Sequence, residues 1–156
     1  MSRSLLIVAM FALSTAAFAA ELPKSGSART ASAWKAVGET TQIGGRSLSH
    51  GMLWGIVTDD NPLRIKSAMC PYISEQNGDT NLFTGRCAWS DADGDQVFSE
   101  WTAKLSISTG VCEGPQTITG GSGKFRGIQG SIPFQCQAVS DKGQFTSALQ
   151  WSYRLP

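Results

Sequence analysis

The chain has 156 residues, with 13 basic and 12 acidic side chains, a single histidine and a formal net charge of +1. So small a net charge gives no electrostatic reason to expect nucleic acid or an anionic membrane surface as a partner. Charged residues make up only 16% of the chain, glycines number 17, and the apolar residues are strongly β-branched or aromatic, which suits closely spaced strands and tight turns better than helices.

The first twenty residues follow the order of an export signal. Arg3 supplies the positive start, and Leu5 to Leu13 form an apolar run too short to span a bilayer. Small residues then lead to Ala17-Phe18-Ala19, an A-x-A cleavage site. The expectation is a signal peptide over 1–19 and a mature start at Ala20, leaving about 137 residues, the size of one domain with one core. The destination is the periplasm or the outside of the cell, with no membrane association after cleavage. Residues 20–33 are small and polar and read as a flexible N-terminal arm. The remaining 34–156 read as a β-barrel domain.

From Trp34 onward eight stretches have strand character, separated by turn residues at short intervals: 34–42, 47–58, 64–74, 80–90, 95–107, 111–118, 129–139 and 143–155. Nowhere after the signal do apolar residues keep helical spacing over three turns. Two of the strands alternate cleanly. Val97, Trp101, Ala103, Leu105 and Ile107 oppose Gln96, Glu100, Thr102, Lys104 and Ser106, and Phe145, Leu149, Trp151, Tyr153 and Leu155 oppose Gln144, Thr146, Gln150, Ser152 and Arg154. One face packs and one meets water, the pattern of an antiparallel sheet. Turns as short as Asp93-Gly94 and Lys142-Gly143 leave no room for crossover helices. The fold class is therefore all-β, an eight-stranded antiparallel up-and-down barrel, with a two-sheet sandwich as the alternative.

Four cysteines, Cys70, Cys87, Cys112 and Cys136, in an exported chain read as two disulfides. A two-residue turn at Gly78-Asp79 sets Asn77 against Thr80 and, counting outward, Cys70 against Cys87. A wide loop centred near Lys124 sets Ile118 against Gly130 and Cys112 against Cys136. Opposed strand positions lie at the separation a disulfide tolerates, so the expected bridges are Cys70–Cys87 and Cys112–Cys136. Close cysteine pairs and histidine clusters, which a metal site needs, do not occur in the sequence.

The segment TGGSGKFRGIQGS over 119–131 resembles a phosphate-binding loop only on the surface. A Walker loop needs Ser or Thr where Phe125 follows Lys124, and a dinucleotide fingerprint needs glycine where Arg126 stands. The structural reading is a glycine-rich connection with Phe125 and Ile128 tucked beneath it. The stretch GGSGKFRGIQG is also similar to the recurring G-G-T-G-K-(aromatic)-x-G-I-x-G of allene oxide cyclase-like barrels, which include small exported bacterial proteins of unknown function. Cys87 to Trp101, CAWSDADGDQVFSEW, resembles the (Cys)-x-(aromatic)-x-D-x-D-G-D-x-(apolar)-F-x-x-W segment of the same bacterial group. The resemblance implies an eight-stranded barrel. Plant members cyclise a fatty-acid epoxide inside the barrel, but none of their pocket residues matches a position here.

Asp91, Asp93 and Asp95 have the spacing of the first calcium ligands of an EF-hand, yet Gln96 and Thr102 stand where the glycine hinge and bidentate glutamate belong. No metal or cofactor is expected, and the acids read as a tight hairpin turn. His50 shares parity with Met52, Trp54 and Ile56, which would put it near one mouth of the barrel, with no acid or nucleophile beside it. No residue is expected to be catalytic. The expected function is binding of a small apolar or aromatic molecule in the lumen by Trp54, Trp101, Phe134 and Trp151, oriented by His50. The alternatives are an isomerase or cyclase working in the same lumen, and a scaffold with a packed lumen whose loops hold a protein partner.

Overall fold

The computed structural model describes residues 22–156, so the expected signal over 1–19 lies outside the described residues. The chain forms β1 (Ser25–Ile43), β2 (Arg46–Val57), β3 (Ile65–Asn77), β4 (Thr80–Asp91), β5 (Gln96–Ser106), β6 (Val111–Gly114), β7 (Gln116–Gly121), β8 (Gln129–Ser131), β9 (Phe134–Ala138) and β10 (Gln144–Arg154), with one 3-10 turn at Gly123–Phe125. All pairings are antiparallel, and β1 closes the sheet on β10 from Ser25↔Arg154 to Lys35↔Gln144.

Ten segments make an eight-stranded barrel because prolines interrupt two of the strands. Pro115 separates β6 from β7, which both pair with β5, and Pro133 helps separate β8 from β9, which both pair with β10. Proline has no N–H to give a ladder, so the strand continues past it with its pairing broken. The carbonyls of both prolines still accept, from Thr102 N at 3.2 Å and Gln150 N at 2.9 Å.

The expected arm over 20–33 is corrected from Ser25 on: those residues are the first half of β1. Small polar residues succeed there because the strand is paired on both sides from Ser32 to Lys35, and because Thr30 and Ser32 face a core that needs hydroxyls. Trp151 Nε1 donates to Thr30 Oγ1 at 3.1 Å, and Trp34 Nε1 donates to Ser32 Oγ at 2.8 Å.

One end of the barrel is packed shut. Trp89, Trp151, Phe125, Leu63, Ile65, Ile128, Ile132 and Val97 are its largest fully buried apolar side chains. Phe125 and Ile128 come from the glycine-rich connection and sit beneath it as the sequence indicates. The connection is tied to the β4–β5 turn. Asp91 Oδ1 accepts from Asp93 N at 2.9 Å and Asp95 N at 3.0 Å, while its other oxygen faces the Lys124 ammonium. Lys124 also reaches Asp93 at 2.6 Å, and Lys124 N donates to Asp95 Oδ2 at 3.2 Å. Gly123 is required at this contact: its φ is +51°, and a Cβ there would lie 1.8 Å from Asp95 Oδ1. Burial pushes the Asp91 carboxyl up, but Lys124 and the two backbone N–H groups outweigh it and hold the carboxyl below its ordinary value.

Both disulfides join neighbouring strands as the register count requires. Asn77 faces Thr80, Ile118 faces Gly130, and the bridges are Cys70–Cys87 and Cys112–Cys136 with Cα separations of 4.1 and 4.8 Å. Two such bridges fit an oxidising compartment better than the cytoplasm. No helix among the described residues is long and apolar enough to cross a membrane.

Candidate functional site

The other end of the barrel is hollow. A cavity of about 730 Å³ runs down from a mouth formed by the β5–β6 and β9–β10 connections, Ile107 to Gly110 and Val139 to Gly143. Its volume falls within the range of pockets that hold drug-sized molecules. Alternate residues of the staves line it, because successive strand side chains point to opposite faces. Trp34 stacks on Phe145 with centroids 5.9 Å apart and meets Trp89 edge-on at 5.5 Å. Across the lumen Trp101 stacks on Phe83 at 6.5 Å and meets Phe134 edge-on at 6.1 Å. Both disulfides complete the wall, together with Leu53, Ala103, Leu105 and Leu149.

The polar groups on this wall are few and mostly satisfied. Ser147 and Ser32 bond to each other at 2.7 Å and share the Trp34 indole N–H. Deeper down, Trp89 Nε1 donates to Ser99 Oγ at 2.9 Å, and the Gln116 amide contacts the same oxygen at 2.6 Å. Trp101 Nε1 is buried without a hydrogen-bond partner. Among the described residues, the one lining side chain that ionises is that of Asp141, which is exposed at the mouth. Among the described residues, the lining below the mouth is thus aromatic and aliphatic apart from these hydroxyl, amide and indole groups.

The structure divides the expected site residues. Trp101 and Phe134 line the cavity, and Trp151 faces inward below it, packed edge-on against Trp89 at 5.1 Å. His50 and Trp54 do not join them. Both lie on the outer face of β2, where Trp54 is 53% exposed. Their inward placement is corrected by one strand position. The inner face of β2 carries Gly51, Leu53, Gly55 and Val57, so its glycines hide it from an apolar count. Gly55 is needed because a Cβ there would meet the Trp34 ring at 2.4 Å. Sequence reasoning passed over Trp34, Phe83, Phe145 and Gln116 as site residues. Cross-strand partners of Gly55 and Trp101 point to two of them: Trp34 lies opposite Gly55, and Gln116 lies opposite Trp101.

Outside the barrel a second apolar feature runs across four strands. Trp54, Met69, Ala88 and Phe98 are successive cross-strand partners on the outer wall, and Trp54, Met69 and Phe98 are each more than a third exposed.

Fold and cavity together define a small closed antiparallel β-barrel with an apolar lumen open at one end. Two solved structures share this architecture. A protein of unknown function from the DUF3224 family of Shewanella oneidensis MR-1 matches 85% of this chain and 98% of its own, at 10% identity and a TM-score of 0.61. The pterocarpan synthase dirigent protein GePTS1 matches 95% of this chain and 100% of its own, at 14% identity and a TM-score of 0.54. No family model and no curated protein matches the chain. At these identities the likeness is one of fold.

Proposed function

We propose that this protein is an exported, non-catalytic carrier that holds one small apolar or aromatic molecule in the barrel lumen. The observation that carries the reading is the cavity of about 730 Å³, walled by aromatic and aliphatic side chains, open at one end and sealed by a packed core at the other. A pocket of that size and chemistry gains affinity by removing apolar surface from water, with little demand on polar pairing. The signal-like first twenty residues and the two disulfides support export. The GGSGKFRGIQG and Cys87–Trp101 motifs support placing the chain among allene oxide cyclase-like barrels, and the neighbour named as a pterocarpan synthase supports a role toward small molecules. The mostly apolar described lining, whose one ionisable side chain, Asp141, stands exposed at the mouth, favours binding over turnover.

A neutral fluorescent probe tests the reading. N-phenyl-1-naphthylamine should brighten on titration into the wild type with a stoichiometry near one, and Ala103→Trp, which fills the lumen from β5, should abolish the signal while the protein still unfolds cooperatively. An unchanged titration in a folded Ala103→Trp variant would place the probe elsewhere and end the lumen reading. A second reading, docking of a protein partner, has the Trp54–Met69–Phe98 stripe behind it, because large exposed apolar patches mark contact surfaces.

A further inference from the structure

Below the mouth, the described wall of the lumen has one open polar position, and it lies at Gln116. Ser99, on β5 and 1% exposed, presents a single hydroxyl to two neighbours. Trp89 Nε1 lies 2.9 Å from Ser99 Oγ, and Gln116 Nε2 as placed lies 2.6 Å from it. An indole N–H only donates, so Ser99 accepts from Trp89 and its own proton needs an acceptor. With the amide nitrogen facing it, Ser99 Oγ receives two donors and its buried O–H has no side-chain acceptor among the described residues. A half-turn of the terminal amide, which leaves its shape unchanged, lets Ser99 donate to Gln116 Oε1 and completes a relay from Trp89 through Ser99 to Gln116. A buried hydroxyl left unpaired is costly, so the turned amide is the stable one.

That orientation presents the Gln116 NH2 to the cavity. Gln116 is 3% exposed and lines the lumen, and its second amide head has no protein partner and is not sealed off. The unpartnered buried donor elsewhere in the described lining, Trp101 Nε1, is covered: its ring edge leans over Gly85, on the strand away from Gln116. Among the described residues the wall holds no Lys, Arg or His, so a ligand anion would be desolvated without a counter-charge. We infer that Gln116 is the anchor of the lumen, and that its ligand is an uncharged, largely aromatic molecule whose leading end carries a carbonyl-type oxygen. The rings of Trp34, Phe83, Trp101, Phe134 and Phe145 take the body of the molecule, and the amide N–H takes the oxygen.

This inference rests on the lumen reading, and two probes separate the fates of both. Calorimetric titration compares 2-acetylnaphthalene with 2-isopropenylnaphthalene, which replaces the carbonyl oxygen by a methylene at nearly constant shape. The ketone should bind wild type roughly five- to tenfold more tightly, the scale of one neutral hydrogen bond. Gln116→Met should erase that preference and leave the hydrocarbon's affinity within about twofold, since Met keeps the volume and loses the amide. The infrared carbonyl band of the ketone bound to wild type should fall below its position in hexane, a readout that needs no variant. Equal affinities with an unshifted band overturn the anchor and leave the lumen reading standing. A preference that survives in folded Gln116→Met also overturns the anchor. Failure of both probes to bind overturns the lumen reading and the anchor together.

Discussion

Replacing Lys124 by Met removes the cation held against a carboxylate whose side chain is 1% exposed, and leaves Asp91 charged under the barrel floor. Breaking a buried pair from one side costs about 3–5 kcal/mol when nothing else supports the remaining charge. Here Asp91 keeps two backbone N–H bonds, and the Lys124 side chain is 28% exposed, so about 2–3 kcal/mol is the expected loss at pH 7. The Asp93 contact adds little, because that carboxylate is 72% exposed. The loss also has a pH signature. With its folded pKa held below the ordinary 3.8, Asp91 contributes stability that is present above 3.8 and is lost as pH falls through the lowered value. In Lys124→Met burial is no longer opposed by the ammonium, so the folded variant takes up its proton at higher pH than wild type does. The gap between the two proteins therefore narrows on acidification. Urea unfolding followed by tryptophan fluorescence at pH 7 and pH 3.5 measures it. A difference under about 0.5 kcal/mol at pH 7, the ordinary size of a surface substitution, would show that Lys124 does not support the buried Asp91 charge, as would a difference that does not shrink at pH 3.5.

Other outcomes follow from the same contacts. Replacing Cys70 and Cys87 together by Ala should cost about 3 kcal/mol, the chain-entropy value for their sequence separation of 17, read from the denaturation midpoint of the oxidised proteins. Gly55→Ala should cost about 1–3 kcal/mol, because the new Cβ drives into the Trp34 ring, and neutral stability would show that the ring yields freely. His50→Ala and Trp54→Phe, both on the outer wall, should leave N-phenyl-1-naphthylamine affinity unchanged, and a fivefold loss in either would return that face of β2 to the site. Millimolar calcium should leave the melting temperature unchanged, because Lys124 and backbone N–H groups already occupy Asp91 and Asp93; a rise of several degrees would contradict the paired arrangement.

Barrel, strand order and disulfide pairing were legible because they depend on spacing and turn length, which the sequence states directly. Short turns at Gly78-Asp79 and Lys142-Gly143 force neighbours to pair, and the register then places Cys70 and Cys112 opposite their partners. Strands with bulky inner faces gave their orientation correctly, as β5 and β10 do with Val97, Trp101, Leu149 and Trp151. The face of β2 was misread because lumen shape, and not hydrophobicity, dictates its residues: Gly55 makes room for a tryptophan on β1. That tryptophan cannot be paired with it until the register is known. The first half of β1 escaped for a related reason. Thr30 and Ser32 are buried as acceptors for indole N–H groups, so the strand looks polar when read alone. Gln116 is equally silent in sequence, since its significance comes from sharing Ser99 with Trp89 across three strands.

Where a bound aromatic molecule sits decides between the lumen and the outer wall. Intermolecular NOEs should be recorded between the ring protons of 2-acetylnaphthalene and the methyl groups of the folded, oxidised protein. Contacts are expected to Leu53, Ala103 and Leu149, which face the lumen, and none to Ile56 or Met69, which sit beside Trp54 on the outer wall. Contacts to Ile56 and Met69, with silence at Leu53, Ala103 and Leu149, would place the binding surface outside the barrel and contradict the lumen reading.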